Sequence, residues 1–223
     1  VSEQQMHQSV ARAAAILDAI GTSAGPGMRA AEIAEAAGLG LSTTTRLLAT
    51  LLELGFASRV SEREYALGPR LLALSSQELN QSAVFRESRM LCQSLAQSTR
   101  LTANVAVRHG ARCVYLCHFE GDLSPKNQSM VGLAMPLHAE LSRQLEEGRE
   151  RGYCVEDQEL ALGRFCLASP VRDRTGGICA AVSVSGRISV FTGDQRSSIQ
   201  EQLVESADRI SVNLGHLSGA SAG

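Results

Sequence analysis

The chain has 223 residues, a formal net charge of −2, 44% hydrophobic and 20% charged residues. That length suits two domains of about 70 and 140 residues, and the balance excludes a disordered chain and a protein coated in basic surface. No apolar run reaches the ~18 residues that a membrane span needs, so a cytoplasmic protein without a membrane partner is expected.

Val10, Ala13, Ala14, Ile16, Leu17 and Ile20 recur at helical spacing behind Ser9, an expected N-cap. Gly21 and the breakers Gly25, Pro26 and Gly27 end that helix. A second helix is expected over 30–37 on the stripe Ile33, Ala34 and Ala37, followed by the turn Gly38-Leu39-Gly40. A third, capped by Ser42, carries Leu47, Leu48, Leu51 and Leu52 inward and stops at Gly55. Two short helices around a glycine turn, with a third before them, are the layout of a helix-turn-helix.

The outer face of the third helix opens with Ser42, Thr43, Thr44, Thr45 and Arg46. Hydroxyls and a guanidinium there suit phosphate and base-edge contacts in a major groove. Short strands over 56–60 and 64–67, joined by a polar turn, add a wing with Arg63 at its tip. Charge alone does not announce a DNA binder: residues 10–70 hold six Arg against six Asp and Glu. The motif carries the expectation.

Beyond the wing, helices are expected over 68–80 and 85–98, and strands over 101–108 and 112–119. A charged helix follows over 140–151, then strands over 165–171 and 178–184, and a final helix over 194–217 with Ile199, Leu203, Ala207, Ile210 and Leu214 as its stripe. The last strand puts Ser183 and Ser185 on one face, Val182 and Val184 on the other. Serines inside a β-branched strand imply something polar opposite them: a ligand carboxylate, or a loop tied to the sheet. The six cysteines contain no C-x-x-C pair. Cys113 and Cys117 are expected on one strand face ~13 Å apart, too far to share a zinc ion, so buried thiols without a metal are expected.

Ser9-Val10-Ala11-Arg12-Ala13, Glu32-Ile33-Ala34, Gly38-Leu39-Gly40-Leu41-Ser42-Thr43-Thr44-Thr45-Arg46 and Tyr65-Ala66-Leu67-Gly68 resemble the IclR family of transcription regulators. So do Met135-Pro136-Leu137-His138-Ala139, Arg151-Gly152-Tyr153, Cys166-Leu167-Ala168-Ser169-Pro170-Val171 and Ala180-Ala181-Val182-Ser183-Val184-Ser185-Gly186. The resemblance implies an α+β protein: a winged helix-turn-helix over 1–68, a helical linker over 69–83, and a GAF-like α/β effector-binding and oligomerisation domain over 84–223. It implies a homodimer or dimer of dimers on double-stranded operator DNA, controlled by a small organic acid or aromatic metabolite, with no cofactor. DNA contacts would fall on Ser42, Thr43, Thr44, Thr45, Arg46, Arg63 and Arg12, and effector contacts on Glu156, Cys166, Ser183 and Ser185.

Two departures stand out. Leu41 occupies the place where the family carries a basic residue. After Ala139 the family continues for some tens of residues, whereas here Glu140 follows at once. Either part of the sensor wall is lost here, or a segment is missing between the two residues; the second is expected, and such a break would part Ala139 and Glu140 by more than the ~3.8 Å of a trans peptide. Against an enzyme, nothing beside Cys166 and His138 supplies an oxyanion hole, and no phosphate-binding loop is present. The remaining alternative is a winged helix that contacts protein instead of DNA.

Overall fold

Ile16, Ile33 and Leu48, one from each of the first three helices, are fully buried in one small core. They belong to the first of two units, Val1–Glu78 and Leu79–Gly223, into which the chain divides. The structure is a computed structural model and describes residues 7–23, 25–124, 130–136, 152–159 and 161–217.

In the first unit α1 (Gln8–Gly21), α2 (Ala30–Ala36) and α3 (Leu41–Glu53) enclose that core. Both expected caps move. His7 precedes α1, so Ser9 lies within it. The carbonyl of Gly40 already accepts from the Thr44 N–H at 3.0 Å, which makes Gly40 the N-cap of α3 and Ser42 a residue of its first turn. The wing is β2 (Ala57–Arg59) paired with β3 (Glu64–Leu67), and β1 (Met28–Arg29) adds to β3 as an unforeseen third strand.

The next helix, α4 (Pro69–Gln81), begins with proline, whose missing N–H costs nothing at a first helical position. Its start is fastened to the end of α3. Gly68 N–H donates to the Phe56 carbonyl at 2.8 Å and Arg70 N–H to that of Gly55 at 3.1 Å. The Arg70 guanidinium reaches the Leu54 carbonyl at 3.4 Å and lies over the Phe56 ring, 5.1 Å from its centre. No residue of α4 is buried.

The second unit opens with α5 (Ala83–Thr99), capped by Ser82, whose Oγ accepts from the Phe85 N–H. Six strands follow: β4 (Thr102–His109), β5 (Arg112–Phe119), β6 (Ala134–Pro136), β7 (Cys154–Asp157), β8 (Arg164–Arg172) and β9 (Ile178–Arg187). They form one sheet in the order β6-β5-β4-β9-β8-β7 with every neighbour antiparallel. A 3₁₀ turn, Ile188–Val190, leads into α6 (Gly193–Asn213). Helices α5 and α6 pack on one face of the sheet, where Val105, Leu167, Val182, Val184, Leu203 and Ile210 are fully buried.

A register shift opposite Val105 and Ala106 leaves Leu116 as one extra residue in β5. It overturns the expected placing of two cysteines. Cys117 pairs with Val105 and faces the helices, while Cys113 pairs with Arg108 on the other side of the sheet. The charged segment 140–151, His138 and the Ala139–Glu140 junction lie outside the described residues. No helix among the described residues is long and apolar enough to cross a membrane.

Gly68 has no room for a side chain: a Cβ there would stand 2.2 Å from the Gly55 carbonyl oxygen and 2.7 Å from the Phe56 carbonyl carbon, both backbone atoms. Gly68→Ala is expected to destabilise the first unit by about 1–3 kcal/mol, the range of overpacked cores. Thermal unfolding followed by circular dichroism checks this.

Candidate nucleic-acid interface and ligand-binding face

Helix α3 is amphipathic at the spacing its sequence sets. Ser42, Thr45 and Arg46 are exposed and Thr43 is half-buried. Thr44 is fully buried, with its hydroxyl turned back to the Gly40 carbonyl at 3.2 Å. It is a packing residue, and the structure does not bring it to the outer stripe. Ser42 and Arg46, four apart, lie one above the other, and Arg46 makes no ion pair among the described residues. Leu41 is 52% exposed at the head of this stripe.

Arg63 is exposed at the wing tip and Arg12 is half-buried on α1. Other arginines of this unit are engaged. Arg29 pairs with Glu32, and Arg59 bonds the Glu62 carbonyl and lies over the Tyr65 ring.

The sheet face turned away from α5 and α6 is polar, and the strand register arranges its side chains in rows. In one row His118, Asn104, Ser183 and Ala168 sit on β5, β4, β9 and β8. In the next, Thr102, Ser185, Cys166 and Glu156 sit on β4, β9, β8 and β7. The structure thus brings the four expected effector residues, Glu156, Cys166, Ser183 and Ser185, onto one face. Asn104 and Ser185 are buried, and Asn104 Oδ1 accepts from the His118 Nδ1–H at 2.7 Å. The Cys166 thiol donates to the Leu167 carbonyl at 3.7 Å. Burial, and after it the nearby Cys113 and Cys166 thiols, raise the phenol of Tyr115; Arg164 opposes them.

Sequence reasoning missed Arg164. Its Nη1 donates to Glu156 Oε2 at 2.8 Å, with both side chains about three-quarters buried. A carboxylate facing an acidic ligand is unfavourable when it stands alone; beside Arg164 its charge is offset. The available signal was strand alternation, which puts Arg164 on the same face as Cys166, two residues on.

Burial disfavours the thiolate at every cysteine. Desolvation raises Cys92, Cys113, Cys117, Cys154 and Cys179, and pushes Cys166 up to about 11. No disulfide and no cluster of metal-ligating side chains occurs among the described residues.

A reading helix with a wing, joined in one chain to a sheet with a polar face, defines a ligand-controlled transcription regulator. Residues 9–61 match the IclR helix-turn-helix domain and residues 138–212 the C-terminal domain of the bacterial transcriptional regulator IclR, and the chain belongs to the IclR family. It is 28% identical to the transcriptional repressor IclR of Escherichia coli, over 93% of this chain and 90% of that one. It is 27% identical to the regulator BhcR of Paracoccus denitrificans, over 91% and 86%. A solved IclR-type regulator from Alicyclobacillus acidocaldarius superposes with a TM-score of 0.82 at 25% identity, covering 94% of this chain and all of that one.

The BhcR alignment runs over 241 positions, more than the 223 residues of this chain, so the relative carries residues that this one lacks. An internal shortening after Ala139, the other reading of that junction, has this effect.

At neutral pH a thiol near 11 carries roughly two to three orders of magnitude less thiolate than an ordinary one near 8.5. The native protein is therefore expected to react slowly with an aromatic disulfide reagent at pH 7.5 and to release six thiols promptly once unfolded in guanidinium, read by absorbance. Prompt titration of Cys166 in the native state would contradict its raised thiol pKa.

Proposed function

We propose that this regulator reads operator DNA with Ser42, Thr43, Thr45 and Arg46 of α3, steadied by Arg63 of the wing and Arg12 of α1, and that a small organic acid or aromatic metabolite controls it. The exposed stripe led by Ser42 and Arg46 carries the reading, because among the described residues the Ser42 hydroxyl and the Arg46 guanidinium are not spent within the fold, while the Thr45 hydroxyl beside them donates to the Leu41 carbonyl at 2.9 Å. The effector contacts are Cys166, Ser183 and Ser185, with Glu156 beside them. A solved IclR homologue from Microbacterium hydrocarbonoxydans holds 4-hydroxybenzoate, with a TM-score of 0.79 and 19% identity to this chain. It makes a hydroxylated aromatic acid a reasonable first probe.

The protein works in the cytoplasm as a homodimer or a dimer of dimers. The apolar surface supports self-association: no residue of α4 is fully buried within its own chain, Leu72 is 70% and Leu74 45% exposed, and Val10 of α1 is 67% exposed. Two copies set the spacing of two reading helices, and an effector shifts that spacing only through unequal affinity for the two arrangements. No catalytic role is assigned, since the raised Cys166 thiol makes a poor nucleophile.

Fluorescence anisotropy on upstream DNA at two salt concentrations tests the reading. Arg46→Ala is expected to weaken specific binding by about 1–3 kcal/mol if it reads a base. If it holds a phosphate, binding to all DNA weakens and the salt slope falls by about one. No change on either count would move the assignment to a protein-contacting winged helix. Leu41→Arg, which restores a cation at the head of the stripe, is expected to tighten binding to any duplex and to steepen the salt slope by about one.

A further inference from the structure

We propose that Arg164 is the anion-binding group of the polar sheet face, and that Glu156 is a positioning residue that holds the Arg164 guanidinium and does not itself touch the acid. This rests on the effector reading above and names the residue that selects the ligand's charge.

The register carries the argument. Arg164 opens β8, and its Cα partner on β9 is Arg187. Antiparallel partners share a face, so two guanidinium side chains stand in one row, and the next row holds Ser185, Cys166 and Glu156. Like charges directly opposite each other disfavour strand pairing. On these two rows one carboxylate answers two cations, which leaves the corner with an excess positive charge beside two hydrogen-bonding side chains. An anion is the ligand chemistry that offsets it.

Arg164 is also geometrically prepared. A guanidinium carries five N–H donors in a rigid fork. The side chain of Arg164 makes one hydrogen bond among the described residues, from Nη1 to Glu156 at 2.8 Å. Nε and Nη2 are left to take both oxygens of a carboxylate in parallel, an arrangement that a serine hydroxyl cannot provide. The side chain is 27% exposed, enough for a ligand to reach and little enough for water to screen the contact weakly. Glu156 fixes the fork's direction, and Ser185 and Cys166, one row on, lie where the rest of the acid would rest.

The test is calorimetric titration of the full chain with 4-hydroxybenzoate and with its uncharged counterpart 4-hydroxybenzamide. The wild type is expected to bind the acid at least about tenfold more tightly than the amide. Arg164→Met should erase that preference by weakening the acid far more than the amide, with circular dichroism reporting that the variant is folded. Arg164→Lys, which keeps the charge without the fork, should retain part of the preference and guards against a Met variant that fails to fold. Glu156→Gln leaves an amide oxygen to hold Nη1 and removes the negative charge, so acid binding should tighten several-fold. Loss of acid binding in Glu156→Gln would overturn the positioning role, and an undiminished acid preference in Arg164→Met would overturn the inference while leaving the effector site intact. Binding of neither probe by the wild type would overturn the inference together with the effector reading beneath it.

Discussion

In an antiparallel sheet covered by helices on one side only, every strand must serve two environments with alternate residues, and here that single constraint ties the core to the polar face. β8 buries Phe165, Leu167 and Val171 under the helices and turns Arg164, Cys166 and Ala168 the other way. β9 does the same with Val182 and Val184 against Ser183 and Ser185. Sliding either strand by one residue would bury a row of polar groups and expose a row of valines. The register that buries apolar area at roughly 25 cal/mol per Å² therefore also aligns His118, Asn104 and Ser183. Stability and site geometry are set by the same hydrogen bonds.

The exception confirms how tightly the two are tied. The extra residue Leu116 in β5 reverses the sense of alternation partway along the strand. Without it, Cys117 and Tyr115 would occupy the same face. With it, Cys117 enters the core beside Ser88, and Tyr115 joins the polar side together with His118. One residue sorts a thiol from a phenol and an imidazole.

What could be seen in the sequence was periodicity. The apolar repeats of α1, α3, α5 and α6, the wing and the alternation around Ser183 all follow from spacing that sterics impose. What could not be seen depends on competition between near-equal partners. Ser9 and Ser42 have the chemistry of a cap, yet both helices begin two residues earlier, on the backbone carbonyls of His7 and Gly40. β1, β6 and β7 have two, three and four residues, too few for a period to declare itself, and exist through pairing with distant strands. Leu116 is marked by nothing local, since a bulge is a property of two strands together. The Arg164–Glu156 pair is invisible for the same reason: eight residues of chain separate its members, and only the β7–β8 pairing joins them. Thr44 was misplaced because a run of four hydroxyl residues hides which of them the helix turns inward.

The fastening of α4 to the end of α3 bears on where this protein can be cut and joined. A splice placed where the wing ends would sever the Arg70 contacts to Leu54, Gly55 and Phe56 and leave the end of the reading helix without them. The first turn of α4 belongs mechanically to the head, whatever its place in the chain suggests. A graft that transplants this head onto a foreign sensor must carry the chain past Arg70 and make its seam further along the helix, between Leu72 and Glu78, where the side chains of this chain face solvent.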